Sequence, residues 1–309
     1  MFYMSKKIAI IGGGLAGLGV AYPLLLLGAN VTLFEKEQVG AGASGVGSGL
    51  LHPFVGEKAL CNERGVEGVA ATKELLEIVS EELSQKVFAD NGILRFVVKE
   101  SQQKHFAERA KEFDLELTDE GLFIPDGITV FMPLYLRGLL QKCMKLGLQF
   151  EKSHVEELSG FDHVIIAAGS GIFSFGLDLD VKPVKGQALK CRGSFERSMI
   201  GKGHLAITEE QKVVHLGSTY EHHFANDLPD LEFARENIMR QVESFLPDAR
   251  SMEILECMAG VRVCRKQGYF PIAKKLNERL SVFTGLGSRG LLYHALLGKE
   301  LANRVYLSL

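Results

Sequence analysis

The pattern of apolar and polar positions predicts a strand, a helix and a second strand within the first 35 residues. Lys7–Ile11 (KIAII) and Asn30–Glu35 (NVTLFE) are apolar runs with β-branched residues, as in strands buried on both faces of a parallel sheet. Between them, the apolar segment 15–27 stops at Gly28 and has the length of a helix. Pro23 removes one hydrogen bond inside that helix, so we expect a bend there. Together the three elements predict one unit of a parallel α/β sheet.

Further along the chain the same patterns predict more helices and strands. Residues 132–146 form an amphipathic helix with Pro133 in its first turn, and residues 232–245 form another helix. A buried strand covers 161–169, and a strand, a glycine-rich turn and a helix cover 280–302. This last arrangement repeats the order of strand, glycine turn and helix found at the start of the chain.

Strands of another kind lie between these segments. The strands that begin near Asn91, Val184 and Lys212 have alternating apolar and polar positions or are connected by loops rather than helices. This pattern predicts a mostly antiparallel second sheet. The predicted fold class is therefore α/β, with a Rossmann-like parallel-sheet domain and a second, mostly antiparallel-sheet domain. We expect the first domain over 1–85, 132–180 and 271–309 and the second over 86–131 and 181–270.

Composition fits a folded protein of about two domains. Of 309 residues, 46% are hydrophobic and 24% charged, which excludes wholesale disorder, collagen-like repeats and coiled coil. Lysine and arginine number 35 and aspartate and glutamate 38, so the formal net charge is −3. That charge provides no overall attraction to nucleic acid or to an acidic membrane, although a local basic face stays open.

The cysteines and the N-terminal segment indicate in which cellular compartment the protein is expected. The five cysteines include no C-x-x-C pair that would indicate zinc or a redox dithiol, so we expect reduced thiols, no metal and a cytoplasmic location. Lys6 and Lys7 precede an apolar stretch that superficially resembles a secretory signal, but glycines and Pro23 interrupt it. We therefore expect neither a signal peptide nor a spanning helix, and no membrane partner.

A dinucleotide-binding motif lies at the first turn. Gly12, Gly14 and Gly17 have the G-x-G-x-x-G spacing between strand and helix, which brings a diphosphate to the positive end of the helix dipole. Glu35 ends the second strand, where an acid binds ribose hydroxyls and repels a 2′-phosphate, favouring FAD or NAD over NADP. A glycine-rich turn in an ordinary α/β domain is the alternative. The cofactor-binding residues predicted here are Gly12, Gly13, Gly14, Leu15, Ala16, Gly17, Glu35 and Lys36.

The segment 39–54 places five glycines within ten residues, either as a flexible linker or as backbone that runs along a bound cofactor. It contains GASG at 42–45 and GLLHP at 49–53. With the fingerprint and Glu35, these strings resemble the D-amino-acid-oxidase (DAO) family of FAD-dependent amine oxidoreductases, which includes glycine and sarcosine oxidases. Within that family, GLGSRGL at 285–291 is similar to the flavin domain of the bifunctional tRNA 5-methylaminomethyl-2-thiouridine biosynthesis enzyme.

The resemblance implies a cofactor, a reaction and two domain roles. FAD would accept a hydride at N5 from the C–N bond of an amino acid or N-substituted glycine. The first predicted domain would bind FAD and the second the substrate. The further FAD contacts it implies are Ala43, Ser44, Gly49, Leu50, Val155, Ala168, Gly169, Gly287, Ser288, Arg289, Gly290 and Leu291.

The resemblance also implies where the substrate binds. Residues 255–272 are similar to the family segment in which a strand carries an arginine toward the substrate, so Arg262 would hold a carboxylate with its planar fork of donors. A surface arginine in a basic stretch is the alternative, and Val263 stands where the family has proline. His52 and Tyr269 are candidate walls of the site.

Three functional hypotheses remain open from the sequence, and the first is an FAD-dependent amine oxidoreductase. The substrate is either a small amino-acid-like molecule, as for glycine or D-amino-acid oxidases, or the carboxymethylaminomethyl group of a modified tRNA. The segments 182–204 and 262–279 each hold six basic residues against one acid, which fits either a phosphate-binding face or a solvated sheet edge. The second hypothesis is a flavin-binding protein without turnover. The third is an NAD-dependent dehydrogenase, which the dinucleotide-binding fingerprint alone permits. The sequence does not predict the oligomeric state.

Overall fold

The computed structural model describes residues 6–155 and 158–309. Short 3₁₀ turns occupy Ala43–Gly45, Gly169–Phe175, Pro247–Ser251 and Gly287–Arg289. The α-helices are α1 (Leu15–Leu26), α2 (Gly65–Leu83), α3 (Ser101–Phe113), α4 (Met132–Lys145), α5 (Leu231–Val242) and α6 (Gly290–Leu307). Across both described ranges, no helix is long and apolar enough to cross a membrane.

The strands of the described chain form two large sheets and two small ones. In chain order they are β1 (Lys7–Ile11), β2 (Asn30–Glu35), β3 (Gly49–Leu51), β4 (Phe54–Val55), β5 (Leu60–Cys61), β6 (Phe88–Ala89), β7 (Ile93–Phe96), β8 (Glu116–Leu117), β9 (Gly121–Ile124), β10 (Ile128–Val130), β11 (Gln149–Lys152), β12 (His163–Ile166), β13 (Val181–Arg192), β14 (Ser198–Ile200), β15 (His204–Ile207), β16 (Val213–Gly217), β17 (Ile254–Arg265), β18 (Ile272–Asn277) and β19 (Leu280–Thr284).

The first large sheet has the order β11-β2-β1-β12-β19-β18 and is parallel except for the edge strand β18. Its central strand β1 is apolar on both faces. Ile8 and Ile10 pack into the core beneath α1, α4 and α6, whereas Ala9 and Ile11 pack into a second core on the opposite face. The continuous apolar run in the sequence therefore does predict a doubly buried parallel strand.

The second large sheet has the order β17-β13-β16-β15-β14-β7-β9-β8, and only β14 and β7 pair in parallel. The predicted mostly antiparallel second sheet is confirmed. Its strands come from 93–124 and 181–265, whereas those of the first sheet come from 7–35, 149–166 and 272–284. The chain thus passes repeatedly between the two sheets, and the exact limits of the two predicted domains stay a prediction.

Helices α1 and α6 cross at two glycines. A side chain on Gly19 would place its Cβ 2.6 Å from the carbonyl oxygen of His294, and one on Gly298 would lie 2.2 Å from the oxygen of Gly19. In a regular helix the Gly19 carbonyl would accept the N–H of residue 23, but Pro23 has no N–H. Gly298 therefore packs against a carbonyl oxygen that lacks its usual hydrogen bond within α1. The helix nevertheless continues to Leu26, and the bend at Pro23 stays a prediction.

Candidate active site

Both glycine turns and Arg262 line one cavity of about 880 Å³ between the two sheets. Gly12 and Gly14 come from the first turn, and Gly285 and Gly287 from the second. The volume lies within the range of cofactor and small-molecule sites. The turns that the sequence places at opposite ends of the chain therefore serve the same site.

The first turn leaves no room for side chains. Gly12 has a φ of +110°, and its Cβ would lie 2.4 Å from the carbonyl oxygen of Ala167. A Cβ on Gly17 would lie 1.8 Å from the oxygen of Gly12. Helix α1 has no side-chain cap at Gly14, and the N–H of Leu15 donates to a serine hydroxyl in the glycine-rich segment. The positive end of the helix dipole thus faces the cavity, as an anionic dinucleotide requires.

Glu35 is held at the end of β2 by backbone donors. Its Oε2 accepts the N–H of Gly13 at 2.8 Å, and its Oε1 accepts the N–H of Glu37 at 3.0 Å. The carboxylate lines the cavity beside the first turn. A carboxylate fixed there retains lone pairs for ribose hydroxyls and repels a 2′-phosphate.

The second turn brings another helix start to the same wall. Gly285 and Gly287 have φ values of +74° and +53°, a conformation that glycine adopts without strain. Helix α6 then begins at Gly290, where a Cβ would lie 3.1 Å from the side chain of Leu15 at the start of α1. Two positive helix ends and a cradle of glycine backbone therefore meet at one cavity, which fits FAD.

Most residues predicted to contact FAD line this cavity. Gly13 and Gly17 instead hold the turn together, Val155 packs into the second core, and Arg289 donates to Asn62 on the other side of the turn. The contacts themselves stay predictions. The predicted residues that line the cavity are Gly12, Gly14, Leu15, Ala16, Glu35, Lys36, Ala43, Ser44, Gly49, Leu50, Ala168, Gly169, Gly287, Ser288, Gly290 and Leu291.

Arg262 lies on β17 with its guanidinium folded over Gly186, where a Cβ would approach Nη2 to 2.4 Å. Nη2 donates to Ser218 Oγ at 3.1 Å and Nη1 to the Thr219 carbonyl at 3.4 Å. The Tyr220 ring lies 4.7 Å from the guanidinium carbon. All these partners are neutral, and no carboxylate of the described residues forms an ion pair with Arg262. Its charge therefore remains available to a carboxylate in the cavity.

Two histidines that the sequence analysis did not single out also line the cavity. Burial lowers the pKa of His204 to about 4, assisted by the positive charge of Arg262, and burial lowers the pKa of His215 to about 4 as well. His215 Nδ1 is 3.0 Å from Ser48 Oγ, whereas the ring of His204 has no hydrogen bond to any described residue. Both rings are thus neutral near pH 7, and that of His204 is free to bind a ligand.

The two candidate wall residues are placed differently. His52 lines the cavity, and its Nδ1 accepts the N–H of Phe54 at 3.2 Å. Tyr269 is 72% exposed and lies outside the cavity, with its ring 4.3 Å from the guanidinium of Arg289. The loop after β17 carries Tyr269 to the outer surface, so the structure does not support its expected place in the wall.

Several cations of the two basic segments have partners within the fold. Lys190 pairs with Glu210 and Arg192 with Glu253, each at 2.6 Å. Lys185 is buried and donates to a backbone carbonyl. In the second segment two further cations have carboxylate partners, Arg265 with Asp180 at 3.0 Å and Lys275 with Glu278 at 3.5 Å. These pairs match the solvated sheet edge better than a phosphate-binding surface.

The described residues contain no group of three or more His, Cys, Asp or Glu side chains that could hold a metal ion. The five cysteines are free thiols, and Cys264 lies beside the second glycine turn. Burial raises the pKa of the Cys264 thiol, so the residue is a packed thiol at neutral pH.

The fold and the site define a flavoprotein oxidoreductase. The chain belongs to the FAD dependent oxidoreductase (DAO) family, whose profile matches residues 7–304. It is 25% identical to a glycine oxidase of Bacillus licheniformis over 96% of this chain and 92% of that protein. The crystal structure of glycine oxidase from Geobacillus kaustophilus is similar over 97% of this chain and 95% of that chain, with a TM-score of 0.80 and 21% identity.

A second kind of relative is longer than this chain. The tRNA 5-methylaminomethyl-2-thiouridine biosynthesis bifunctional protein MnmC of Maricaulis maris is 26% identical over 96% of this chain but only 52% of that protein. The chain therefore spans about half of that relative. The NAD-dependent dehydrogenase alternative is excluded by the family, and FAD is the cofactor.

Proposed function

We propose that this protein oxidises the C–N bond of an amino acid or N-substituted glycine whose carboxylate pairs with Arg262. The observation that carries the proposal is the position of this guanidinium, which lies in the cofactor cavity, bonded to neutral oxygens and without a carboxylate partner among the described residues. FAD supplies the hydride acceptor. The chain supplies a charged pocket that orients the substrate.

Two side chains divide the binding of such a substrate. Arg262 holds the carboxylate, and its hydrogen bonds to Ser218 and Thr219 fix the direction of its donors. His204 is neutral near pH 7, so one of its ring nitrogens can accept a hydrogen bond from the amine, which must lose a proton before oxidation. Burial is the main cause of the lowered pKa of His204, and the charge of Arg262 adds to it, so a carboxylate at Arg262 would make the ring a better acceptor.

The same proposal assigns roles to the other cavity residues and to the two large sheets. The predicted FAD contacts that line the cavity bind the cofactor, and the parallel-sheet segments form the FAD-binding domain. The eight-stranded sheet forms the substrate-binding domain because β13, β15, β16 and β17 carry the residues around Arg262. The free cysteines support a reducing, cytoplasmic location.

A modified tRNA is the second candidate substrate, favoured by the match to MnmC proteins. The ion pairs of Lys190, Arg192 and Arg265 favour a free amino acid instead, since these charges of the two basic segments already have carboxylate partners. Binding of tRNA that weakens steeply between 50 and 200 mM salt would support the RNA substrate. No binding at low salt would exclude it.

Anaerobic titration of the yellow holoenzyme tests the proposal. Glycine, sarcosine and other small amino acids should bleach the flavin absorbance in wild-type protein, and an amine of equal size without a carboxylate should not. A flavin that no amino acid or modified tRNA reduces would make the chain a flavin-binding protein without turnover.

A further inference from the structure

A second guanidinium lines the cofactor cavity, that of Arg95 on β7. The residue is only 6% exposed, and burial lowers its pKa to about 10. Nη1 donates to the Phe54 carbonyl at 3.0 Å and Nη2 to the Gly56 carbonyl at 2.6 Å, while Nε is buried and has no hydrogen-bond partner among the residues that the structure describes. The Phe106 ring lies 5.9 Å away. Three of the five N–H groups of Arg95 thus remain unused.

No acid among the described residues neutralises Arg95. Glu57 follows Gly56, whose carbonyl accepts from Arg95, but its carboxylate pairs with Lys99 and its side chain is 64% exposed. A buried cation without a counter-charge is costly, and a neutral donor would hold the two carbonyls without that cost. The stability of the fold therefore does not explain why this buried residue carries a charge.

His52 adds a second donor beside Arg95. Its pKa is lowered to about 3 by burial and by the charge of Arg95, so the ring is neutral. Because Nδ1 accepts the Phe54 N–H, the neutral ring carries its proton on Nε2. Arg95 donates to the carbonyl of the same Phe54, so both side chains are anchored on one residue at the cavity wall.

Strand register places Arg95 in line with the residues around Arg262. Arg95 pairs with Ile200, Ile200 with His204, and His204 with Gly217, and all four line the cavity. Directly paired residues point to the same face of a sheet, so Arg95 and His204 share one face two strand spacings apart, about 10 Å. The Arg262 guanidinium bonds to Ser218, next to Gly217. The two arginines therefore flank His204 on the floor of one cavity.

We propose that Arg95 and His52 form a second anion subsite that binds a distal carboxylate of the substrate. This inference rests on the proposed function and narrows its substrate class to amino acids or N-substituted glycines that carry two carboxylates. One carboxylate binds Arg262, the amine lies at His204, and the second carboxylate reaches Arg95. A monocarboxylic substrate leaves the buried charge of Arg95 without a partner and binds less tightly.

Matched pairs of substrates test the subsite in the wild-type holoenzyme. N-Carboxyalkyl glycines with one to four methylenes before the second carboxylate are compared with N-alkyl glycines of the same chain length, by anaerobic flavin reduction and steady-state kcat/KM. We expect the diacid to exceed its partner at least about tenfold at one chain length, as for a charged hydrogen-bonded pair. Equal kcat/KM at every length would overturn the subsite, with no variant needed.

Variants then assign the preference to Arg95. In Arg95→Met the ratio of diacid to monoacid kcat/KM should fall to within about twofold of one, and Arg95→Lys should retain part of it. Arg192→Met, an exposed ion-paired arginine on the same large sheet, is the control and should keep the wild-type ratio. A preference that survives in folded Arg95→Met would contradict the proposal. If that variant does not fold, the wild-type series and Arg95→Lys decide.

A binding measurement separates the subsite from the reaction. Straight-chain dicarboxylates from succinate to adipate and the monocarboxylates of equal length are titrated while the flavin spectrum is recorded. We expect at least about tenfold tighter binding of one dicarboxylate, lost in Arg95→Met. Tight dicarboxylate binding with no flavin reduction by any amino acid would retain the subsite and reject the proposed function. Amino-acid turnover without dicarboxylate preference would do the reverse.

Discussion

The two faces of strand β17 carry arginines with opposite surroundings. Arg262 and Arg265 are three residues apart and therefore point to opposite sides of the sheet. Arg265 donates to Asp180 through Nε and Nη2 at 3.2 and 3.0 Å and to the Phe270 carbonyl at 3.2 Å. Within the described part of the chain, the polar and ring partners of Arg262 are a hydroxyl, a carbonyl and a tyrosine ring. One charge is balanced within the fold, and the other is the one that we propose to bind the substrate carboxylate.

This difference shows that the partner, rather than the residue type, separates a candidate binding arginine from a structural one. In the sequence both residues belong to the same basic segment, and nothing in their spacing distinguishes them. The structure distinguishes them by a carboxylate on one face and an open cavity on the other.

Replacing Arg262 should have the largest effect on activity among the substitutions considered. Arg262→Met removes the charged partner of the substrate carboxylate, so kcat/KM for amino acids should fall by about 10²–10³-fold, the cost of losing one buried charged contact. The visible spectrum of bound FAD and the melting temperature should change little. A loss below about threefold would show that the carboxylate binds elsewhere.

Gly186→Ala should have the next largest effect, through Arg262 itself. The new Cβ would lie within 2.4–2.6 Å of the guanidinium and displace it, so we expect kcat/KM to fall about tenfold, mostly through KM. In a double-mutant cycle with Arg262→Met, Gly186→Ala should add little further loss. Additive losses would mean that the glycine acts independently of the arginine.

The first turn and the parallel sheet were predictable because each is encoded by local pattern. Gly12, Gly14 and Gly17 occur where backbone contacts forbid a Cβ or open the helix start to the cavity, and Glu35 ends the second strand as its spacing indicated. The predicted helix 132–146 matches α4 within one residue at its end.

The proposed substrate wall was less predictable because tertiary packing assembles it. Arg95, His204 and His215 lie in separate strands, and no spacing links them before the sheet forms. Gly186 and Gly217 inside strands were the available signal, since a glycine there often marks a close approach by another group. Tyr269 was expected in the wall, but the loop after β17 turns it outward. Helices α2 and α3 were not predicted at all.

Arg265→Met should affect the other face of β17 and mainly lower stability. Removing the partly exposed pair with Asp180 and the bond to Phe270 should reduce the free energy of unfolding by about 1 kcal/mol, because solvent screens such pairs. Urea unfolding measures this loss, and kcat/KM should stay within about threefold of wild type. A large fall in kcat/KM with unchanged stability would give Arg265 the role assigned here to Arg262.

The smallest expected effect extends the comparison to two histidines. His294 on α6 is fully buried with both ring nitrogens engaged, Nε2 with the Tyr135 hydroxyl at 2.7 Å and Nδ1 with the Leu291 carbonyl at 3.0 Å, whereas the ring of His204 faces the cavity without a partner. Burial lowers the pKa of His294 from 6.5 to about 4. The unfolded chain therefore binds a proton more readily than the folded one between these values, so stability is complete above about pH 6.5 and is lost as the pH falls toward 4.

His294→Gln tests that contribution by urea unfolding at pH 7 and pH 6. The wild-type free energy of unfolding should fall between the two, with His294 contributing less than about 1 kcal/mol, and the fall should be smaller in His294→Gln. His223→Gln, a change at an exposed position, is the control and should retain the wild-type pH dependence. An identical pH dependence in wild type and His294→Gln would mean that the folded protein accommodates the charged ring, and that bonding of both nitrogens does not keep a buried histidine neutral here.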